Sequence, residues 1–324
     1  MSESSINLIL LAAASTQSGW DQFLQHCVIG LTTGSLIALI ALGYTMVYGI
    51  IGLINFAHGD LFMLGAFLTL SLISLFGGSG AGLTTSQTVM ALALCLTVVP
   101  LFCGSLNWAM DRIVYKPLRN APKLAPLVSA IGVSFIFMNI GLLWGGAADT
   151  NFPKLISEKS LWPDAAVQFT WKDLMVICVT VPIMLALTMF VKLTKLGKAM
   201  RAVEQNPVAA QLMGINVDRV IGLAFLIGGG LGGVASVVYS LYINTVSFQM
   251  GFQNGIYAFT AAVLGGIGKL PGAVLGGLII GVARSFGSAY IGERWTGSLI
   301  FMILIVILVF RPAGLLGRST VEKV

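Results

Sequence analysis

The sequence predicts an all-α, polytopic helical membrane protein with about eight to nine hydrophobic segments. Only 9% of its 324 residues are charged, against about 25% in an ordinary soluble domain. Its mean hydropathy is +0.94, and its apolar runs are long and continuous. The strands of a membrane barrel would instead be about 10 residues of alternating polarity. This composition excludes a soluble enzyme, a nucleic-acid-binding module and a disordered chain.

Nine apolar segments are candidates for crossing a bilayer, since a crossing needs about 20 apolar residues at about 1.5 Å each. In chain order they cover residues 27–48, 58–76, 89–110, 124–146, 173–193, 219–242, 256–268, 272–291 and 296–310. The seventh is short, and a Gly- and Pro-rich stretch separates it from the eighth. These two segments either cross the bilayer twice or form a broken or re-entrant pair. Three glycines, Gly43, Gly49 and Gly52, are candidate breaks in the first helix.

The charged residues are concentrated in short connections, and this sets the predicted orientation. Residues 111–123, residues 192–219 and the C-terminal tail are net positive, whereas residues 147–173 are net negative. Because cytoplasmic loops carry an excess of Lys and Arg, the positive regions are predicted inside the cell and the N-terminus outside. The net charge of +6 is therefore attributed to membrane orientation, and no nucleic-acid partner is expected.

The chain is expected to form one transmembrane domain over residues 1–324, in contact with membrane lipid. Residues 194–218 form its predicted cytoplasmic loop, and residues 147–172 form its predicted extracytoplasmic loop. The short apolar run Ile6–Ala14 lacks a positive flank, so no cleaved signal peptide is expected. The four cysteines lie in apolar runs without a C-x-x-C pair and are interpreted as small core residues.

The sequence contains no catalytic, metal-binding or cofactor-binding motif. Its two histidines, His26 and His58, do not form an H-E-x-x-H motif. The Gly-Lys pairs at 197–198 and 268–269 lack the rest of a phosphate-binding loop. The chain is therefore not expected to be an enzyme, to need a cofactor or to bind ATP by that route. If ATP energises transport, a separate subunit must hydrolyse it.

Three polar residues, Asn55, His58 and Asp60, open the second apolar segment in the stretch NFAHGDLFMLGAF. In one interpretation they lie at the cytoplasmic membrane surface, where Asp60 caps the helix that follows. In the other they lie within the membrane and line a translocation path or gate, because buried polar groups are costly and mark such paths. The sequence leaves both interpretations open.

A short helix is predicted within the cytoplasmic loop. Asn206 and Pro207 are typical of an N-cap and a first helical residue, and Gly214 is typical of the residue that follows a helix. The stretch PVAAQLM between them carries apolar residues with no large domain to cover them. The helix is therefore predicted to dock into a groove of a partner protein, or else to lie on the membrane surface.

Glycines recur at small-xxx-small spacing in the later segments. The two sets are Gly228, Gly229, Gly232 and Gly233, and Gly268, Gly272, Gly276, Gly277 and Gly281. Such glycines let helix backbones touch, which drives helix association in lipid. They are interpreted either as packing positions within the chain or as a moving contact beside a translocation path. The nearby Arg284 is expected to pair with another group or to reach the membrane surface rather than to contact substrate.

Several long motifs resemble known transporter sequences. The stretch GKAMRAVEQNPVAAQLMGIN resembles the coupling loop of ABC-importer permeases. The loose Glu-Ala-Ala…Gly pattern of that loop falls on Glu204, Ala209, Ala210 and Gly214, around Pro207. Four further motifs, in order along nearly the whole chain, resemble the branched-chain amino-acid permease family and its LivH-type subunit. They are TMVYGIIGLINFAHGDLFMLGAF, YKPLRNAPKLAPLVSAIGVSFIFMNI, FTAAVLGGIGKLPGAVLGGLIIG and FRPAGLLGR.

This resemblance implies that the chain is the membrane-spanning permease subunit of an ATP-driven importer in the inner (plasma) membrane. The five coupling-loop residues just named would contact the ATPase. The implied partners are a second permease subunit, two ATP-binding subunits and an extracytoplasmic substrate-binding protein. The implied substrates are branched-chain or related amino acids, or small amides such as urea. The sequence departs from the family pattern at Arg284, where an acidic residue would be expected.

The alternative from another class is an ion-coupled secondary transporter or channel for a small polar solute. Such a protein needs carboxylates within the membrane to couple transport to an ion gradient. Asp60 is the only candidate in the apolar segments, and it lies near the end of its segment. Copurification of an ATPase pair would favour the importer, and ion-coupled uptake by the chain alone would favour the alternative.

Overall fold

The structure, a computed structural model, describes residues 18–77, 84–119, 121–122, 124–163, 165–266 and 268–317. The apolar run Ile6–Ala14 and the charged tail from Arg318 onward lie outside the described residues. Within the described part of the chain, eight helices are long and apolar enough to cross a bilayer. This finding confirms the predicted all-α, polytopic membrane fold.

The helices are numbered in chain order. They are α1 (Gly19–Ile51), α2 (Ala57–Leu75), α3 (Thr85–Met110), α4 (Leu124–Gly145), α5 (Trp171–Leu193), α6 (Lys195–Gln205), α7 (Pro207–Leu212), α8 (Val217–Ile243), α9 (Met250–Gly265), α10 (Leu270–Phe286) and α11 (Glu293–Phe310). α3 continues through the π-helical turn Asp111–Tyr115 to Leu118, and α10 continues through the π-helical turn Gly287–Ile291. Two short strands, β1 (Thr150–Asn151) and β2 (Thr245–Val246), pair antiparallel.

The first helix is longer and less interrupted than the sequence predicts. It begins eight residues before the predicted start, because Ser18 and Asp21 form a capping box. It continues through Gly43 and Gly49 without a break and ends at Gly52, whose φ of 64° is left-handed. Only the last of the three candidate breaks is therefore a helix end.

The predicted seventh and eighth segments form a short helix followed by a long one. α9 has 16 residues, about 24 Å at about 1.5 Å per residue, which is less than the bilayer core of about 30 Å. It starts inside the bundle, where a Cβ added at Gly251 would lie 2.8 Å from the carbonyl oxygen of Gly59. Gly266 and residues 268–269 lie between α9 and α10.

The helices divide into an inner and an outer set. α1, α2 and α8 are mostly buried inside the bundle, whereas α3, α4, α5 and α11 are mostly exposed. The exposed helices carry large apolar side chains on their outer surfaces, among them Leu101, Leu143 and Phe310. A surface of this kind suits contact with lipid rather than with water.

The glycine repeats pack helices together within the chain. α1 and α10 run antiparallel, and a Cβ added at Gly277 of α10 would lie 2.5 Å from the Cα of Ala38 in α1. A Cβ added at Gly233 of α8 would likewise lie 2.7 Å from the Cα of Pro100 in α3. Because no side chain larger than hydrogen fits at these contacts, these glycines let the helices of this chain pack closely.

The bundle has two distinct ends. The strand end comprises β1, β2 and the neighbouring described residues, and it is tied to α1 by a hydrogen bond from the Gln168 N–H to Gln25 Oε1 at 2.6 Å. The α7 end comprises α6, α7, Gly266 and residues 111–119, 268–270 and 311–317. It is tied together by a bond from Lys269 Nζ to the Leu316 carbonyl at 2.6 Å. The positive loops predicted to share one side of the membrane thus lie at one end of the bundle.

Candidate functional site

His58 lies deep in the bundle rather than at its surface. A Cβ added at Gly43 would overlap the His58 imidazole, and one added at Gly232 would lie 3.3 Å from His58 Cε1. Gly43 is eight residues from the end of α1, which is about 12 Å at about 1.5 Å per residue. His58 is only 1% exposed. His58 is therefore enclosed by the inner helices of the bundle.

Asn55 anchors the non-helical connection between α1 and α2. Its Nδ2 donates to Asn107 Oδ1 in α3 at 3.0 Å, and Asn107 Nδ2 donates to the Phe225 carbonyl in α8 at 2.7 Å. The sequence motifs do not single out Asn107, although an amide inside a long apolar segment is a recognisable signal. The connection between α1 and α2 is thus tied to α3 and α8 through this pair of amides.

Asp60 does not cap α2. The helix begins at Ala57 after Phe56 and has no side-chain capping bond, so the capping interpretation is wrong. Asp60 is 1% exposed, and its Oδ2 accepts a hydrogen bond from the Ser134 hydroxyl of α4. Its Oδ1 faces α9, where a Cβ added at Gly251 would lie 2.9 Å away. The carboxylate is therefore buried where α2, α4 and α9 meet.

Several buried polar atoms in this region lack a hydrogen-bond partner among the described residues. They include Thr45 Oγ1, Asn55 Oδ1 and Asp60 Oδ1, whereas the His58 ring approaches the Ile40 carbonyl. An unsatisfied buried polar group costs about 1–3 kcal/mol, so a cluster of them calls for a functional explanation. Polar groups held within a membrane commonly line substrate or ion paths.

A cleft of about 360 Å³ adjoins the buried carboxylate. Its wall is largely aromatic and aliphatic and includes Phe56, Phe135, Phe252 and Phe259. Ser134, which bonds Asp60, also lines it. The cleft therefore combines an apolar wall with a few polar groups that lead toward the bundle interior.

The loop of residues 194–218 contains the predicted helix with the predicted caps. Asn206 Oδ1 accepts from the Ala209 N–H at 3.0 Å, Pro207 is the first helical residue, and Gly214 has a φ of 81°. α7 ends at Leu212, one residue before the predicted end. The N-cap and C-terminal glycine predictions are confirmed.

The two alanines of the coupling pattern point to different sides of α7. Ala210 is 4% exposed and packs against the rest of this chain, whereas Ala209 is exposed. Val208, Leu212 and Met213 are 68%, 84% and 83% exposed. Any partner of α7 therefore contacts these apolar side chains and Ala209, and not Ala210.

Glu204 lies beside the end of α1 rather than on α7. It is in the last turn of α6 and lines a cavity of about 40 Å³ with Gly49 and Gly268. Partial removal from water raises the pKa of its carboxyl, and the nearby Arg201 opposes this shift. Glu204 therefore connects the coupling loop to the inner helices.

A charge cluster links the start of α8 to the end of α3. Lys116 Nζ pairs with Asp218 Oδ2 at 2.8 Å, and Arg119 pairs with Asp218 and, at 2.7 Å, with Asp111 Oδ1. In the sequence these charges indicate only the membrane orientation. Because Asp218 is far along the chain from the other three residues, the sequence does not reveal that the four side chains form a cluster.

The comparisons with known proteins agree with the helical architecture. Residues 27–309 match the family model described as the branched-chain amino acid transport system / permease component. The chain belongs to this family. The sequence motifs resemble this same branched-chain permease family, so the predicted family membership is confirmed.

Curated members of the branched-chain permease family cover nearly the whole chain. The high-affinity branched-chain amino acid transport system permease protein BraD of Pseudomonas aeruginosa is 40% identical over 93% of this chain and 98% of its own length. LivH of Escherichia coli K12 is 40% identical with the same coverage. A more distant relative, the probable LivH of Methanocaldococcus jannaschii, is 27% identical over 87% of this chain and 89% of its own length. No solved structure matches the chain.

Proposed function

We propose that the chain is the membrane-spanning permease subunit of an ATP-driven importer, which translocates branched-chain or related amino acids delivered by an external binding protein. Its partners are a second permease subunit, two ATP-binding subunits and an extracytoplasmic substrate-binding protein. The observation that carries the proposal is α7, a short capped helix with exposed Val208, Leu212 and Met213 at one end of a membrane bundle. Membership of a permease family supports the same conclusion.

The proposed orientation places the α7 end in the cytoplasm and the strand end outside. Residues 1–324 act as one transmembrane permease domain in the inner membrane, with the N-terminus outside and the C-terminus inside. The cytoplasmic coupling loop is 194–218, and the extracytoplasmic loop is 147–172. The gathering of Lys116, Arg119 and Arg201 at the α7 end supports this orientation.

The coupling step begins at α7. Closure of the ATP-binding subunits moves α7, and the short turn after Gly214 passes this motion to the start of α8. Asp218 there holds Lys116 and Arg119, so α3 and α8 move together. Asn107 of α3 bonds the Phe225 carbonyl of α8, so the displacement of these two helices also reaches Asn55 in the connection between α1 and α2.

The translocation path runs past Asn55, His58 and Asp60. The unsatisfied polar atoms of Asn55 and Asp60 favour a route that water or a polar solute can enter when the helices move. The adjoining apolar cleft suits the aliphatic part of a branched-chain substrate. The permease need not hold its substrate tightly, because release on the inner side must also be fast.

One observation favours the alternative function. Asp60 is a carboxylate buried within the bundle with one free oxygen, which is what an ion-coupled secondary transporter or channel requires. The alternative predicts uptake by this chain without ATP-binding subunits, driven by an ion gradient. The importer predicts no uptake without them.

The proposed function is tested by charging the exposed face of α7. Leu212→Lys places a cation in the proposed apolar contact, so the ATP-binding subunits should be lost on purification and uptake should fall at least tenfold. Leu193→Lys is the matched control, because Leu193 is 70% exposed at the end of α5 and lies outside α7. Retention of the ATP-binding subunits and of uptake by Leu212→Lys would sink the coupling assignment.

A further inference from the structure

A second cavity lies at the strand end of the bundle, apart from the cleft beside Asp60. It has a volume of about 190 Å³, which is the share of about six water molecules in the liquid. Its wall combines aliphatic side chains of α1, including Ile29, Ile37 and Ile40, with Arg284 and Glu293. A small solute with both charged and aliphatic parts fits such a lining.

Arg284 and Glu293 face each other without forming a hydrogen bond. Arg284 Nη2 lies 3.9 Å from Glu293 Oε1, whereas a charge-assisted hydrogen bond is about 2.7–2.9 Å long. The expectation that Arg284 pairs with another group is confirmed, but the two side chains are too far apart to form a hydrogen bond with each other. A guanidinium offers five N–H donors, so Arg284 retains donors for another acceptor.

Neighbouring groups hold Arg284 in place. Its guanidinium carbon lies 5.0 Å above the ring centroid of Tyr257 in α9, a cation–π arrangement that fixes the side chain. The adjacent Ser285 hydroxyl donates to the His26 carbonyl of α1 at 2.9 Å. α9, α10 and α1 thus hold one face of the cavity together, while Glu293 enters from the start of α11.

We propose that this cavity is the reception site for a zwitterionic aliphatic amino acid. Arg284 binds the α-carboxylate, Glu293 binds the α-ammonium, and the isoleucines of α1 cover the branched side chain. The two charges of an α-amino acid sit on one carbon, so they match a cation and an anion held a few ångströms apart. This inference rests on the proposed function, since the strand end is where an external binding protein would release its cargo.

A ligand that carries only one of the two charges leaves the other protein charge unpaired. An amine of the same shape leaves Arg284 without an anion, and the corresponding acid leaves Glu293 without a cation. The Arg284 side chain is 26% exposed and that of Glu293 is 66% exposed. Each analogue forfeits one of the two charge-assisted contacts, so the cavity favours zwitterions over amines and acids. Affinity itself stays weak, because the site must pass its ligand on.

The test uses the purified complex in lipid nanodiscs, with ligand affinity measured by saturation-transfer NMR. The probes are leucine, isoamylamine, which lacks the carboxylate, and 4-methylpentanoate, which lacks the ammonium. The wild type should bind leucine at least tenfold more tightly than either analogue. Arg284→Gln should weaken leucine binding at least tenfold and remove the preference over the amine, and Glu293→Gln should remove the preference over the acid.

Arg294→Gln is the matched control, because Arg294 is an exposed neighbour that does not line the cavity; its leucine affinity should equal that of the wild type. Less than tenfold weakening in Arg284→Gln, or no preference for leucine in the wild type, would overturn the proposal. The ATP-binding subunits should copurify with every variant. If they are absent from the wild-type preparation, that result counts against the proposed function and not against the cavity. Leucine binding can still be measured on the purified chain alone.

Discussion

Asn55 Nδ2 donates a hydrogen bond to Asn107 Oδ1 at 3.0 Å, which ties the connection between α1 and α2 to the interior of α3. Both residues are at most 2% exposed, so no water competes for the bond at the surface. Asn107 extends the link to α8 through the Phe225 carbonyl. A single amide therefore holds the position of the segment that carries His58 and Asp60.

Replacement of Asn107 tests this link. Asn107→Ala leaves the buried Asn55 amide without its acceptor, at a cost of about 1–3 kcal/mol. The melting temperature of the detergent-solubilised protein should fall by several degrees. Ser105→Ala is the control, because the exposed Ser105 hydroxyl bonds only the Phe102 carbonyl of its own helix. Equal melting temperatures for the two variants would contradict the assigned role.

The burial of Ala210 gives a second prediction. Ala210→Asp places an uncompensated charge inside the coupling loop, which costs about 3–5 kcal/mol, so the loop should lose its structure. Ala209→Asp, on the exposed side of α7, should leave stability unchanged and release the ATP-binding subunits. Protease sensitivity of the loop and subunit copurification measure the two effects. Identical behaviour of the two variants would show that the faces of α7 are wrongly assigned.

The proposed orientation is tested with single cysteines in a variant that lacks the four native ones. Asp149 and Gln211 are exposed at opposite ends of the bundle. A membrane-impermeant maleimide that reaches the outer face of the inner membrane should label Asp149→Cys while that membrane is intact. It should label Gln211→Cys only after the inner membrane is permeabilised. Labelling of both positions from the same side would reverse or abolish the topology.

The sequence predicts most of the fold because hydropathy and capping act locally. Long apolar runs define the spans, and Asn206 and Gly214 define α7 through bonds to residues within a few positions. The start of α1 is missed because the Ser18–Asp21 capping box extends it beyond the most apolar stretch. The helix continues through Gly43 because that glycine is needed for close contact with the His58 ring rather than for a turn, whereas a Cβ at Gly49 would make only an ordinary contact with Gly268.

The site is predicted less completely because its geometry depends on contacts between distant segments. The sequence brings Asn55, His58 and Asp60 together, but it does not show that they are buried. Their depth follows from Gly43 and Gly232, which lie on other helices. Partners such as Ser134, 74 positions away from Asp60, leave no local pattern.

The buried carboxylate of Asp60 carries the last prediction. Because α2 has no side-chain cap, helix capping no longer explains Asp60, and its charge requires another role. Asp60→Asn keeps the shape of the side chain and its ability to bond Ser134, but it removes the charge. If the charge lines the path, leucine uptake should fall to a few per cent of wild type in a fully assembled complex.

Ser134→Ala separates this role from a structural one. It removes the hydroxyl that bonds Asp60 and leaves the charge in place, so uptake should stay above half of the wild-type rate. If the Asp60–Ser134 bond merely held α2 against α4, the two variants would lose uptake and thermal stability together. Uptake by Asp60→Asn at more than half of the wild-type rate would remove Asp60 from the path, because a neutral amide could then do all that the carboxylate does.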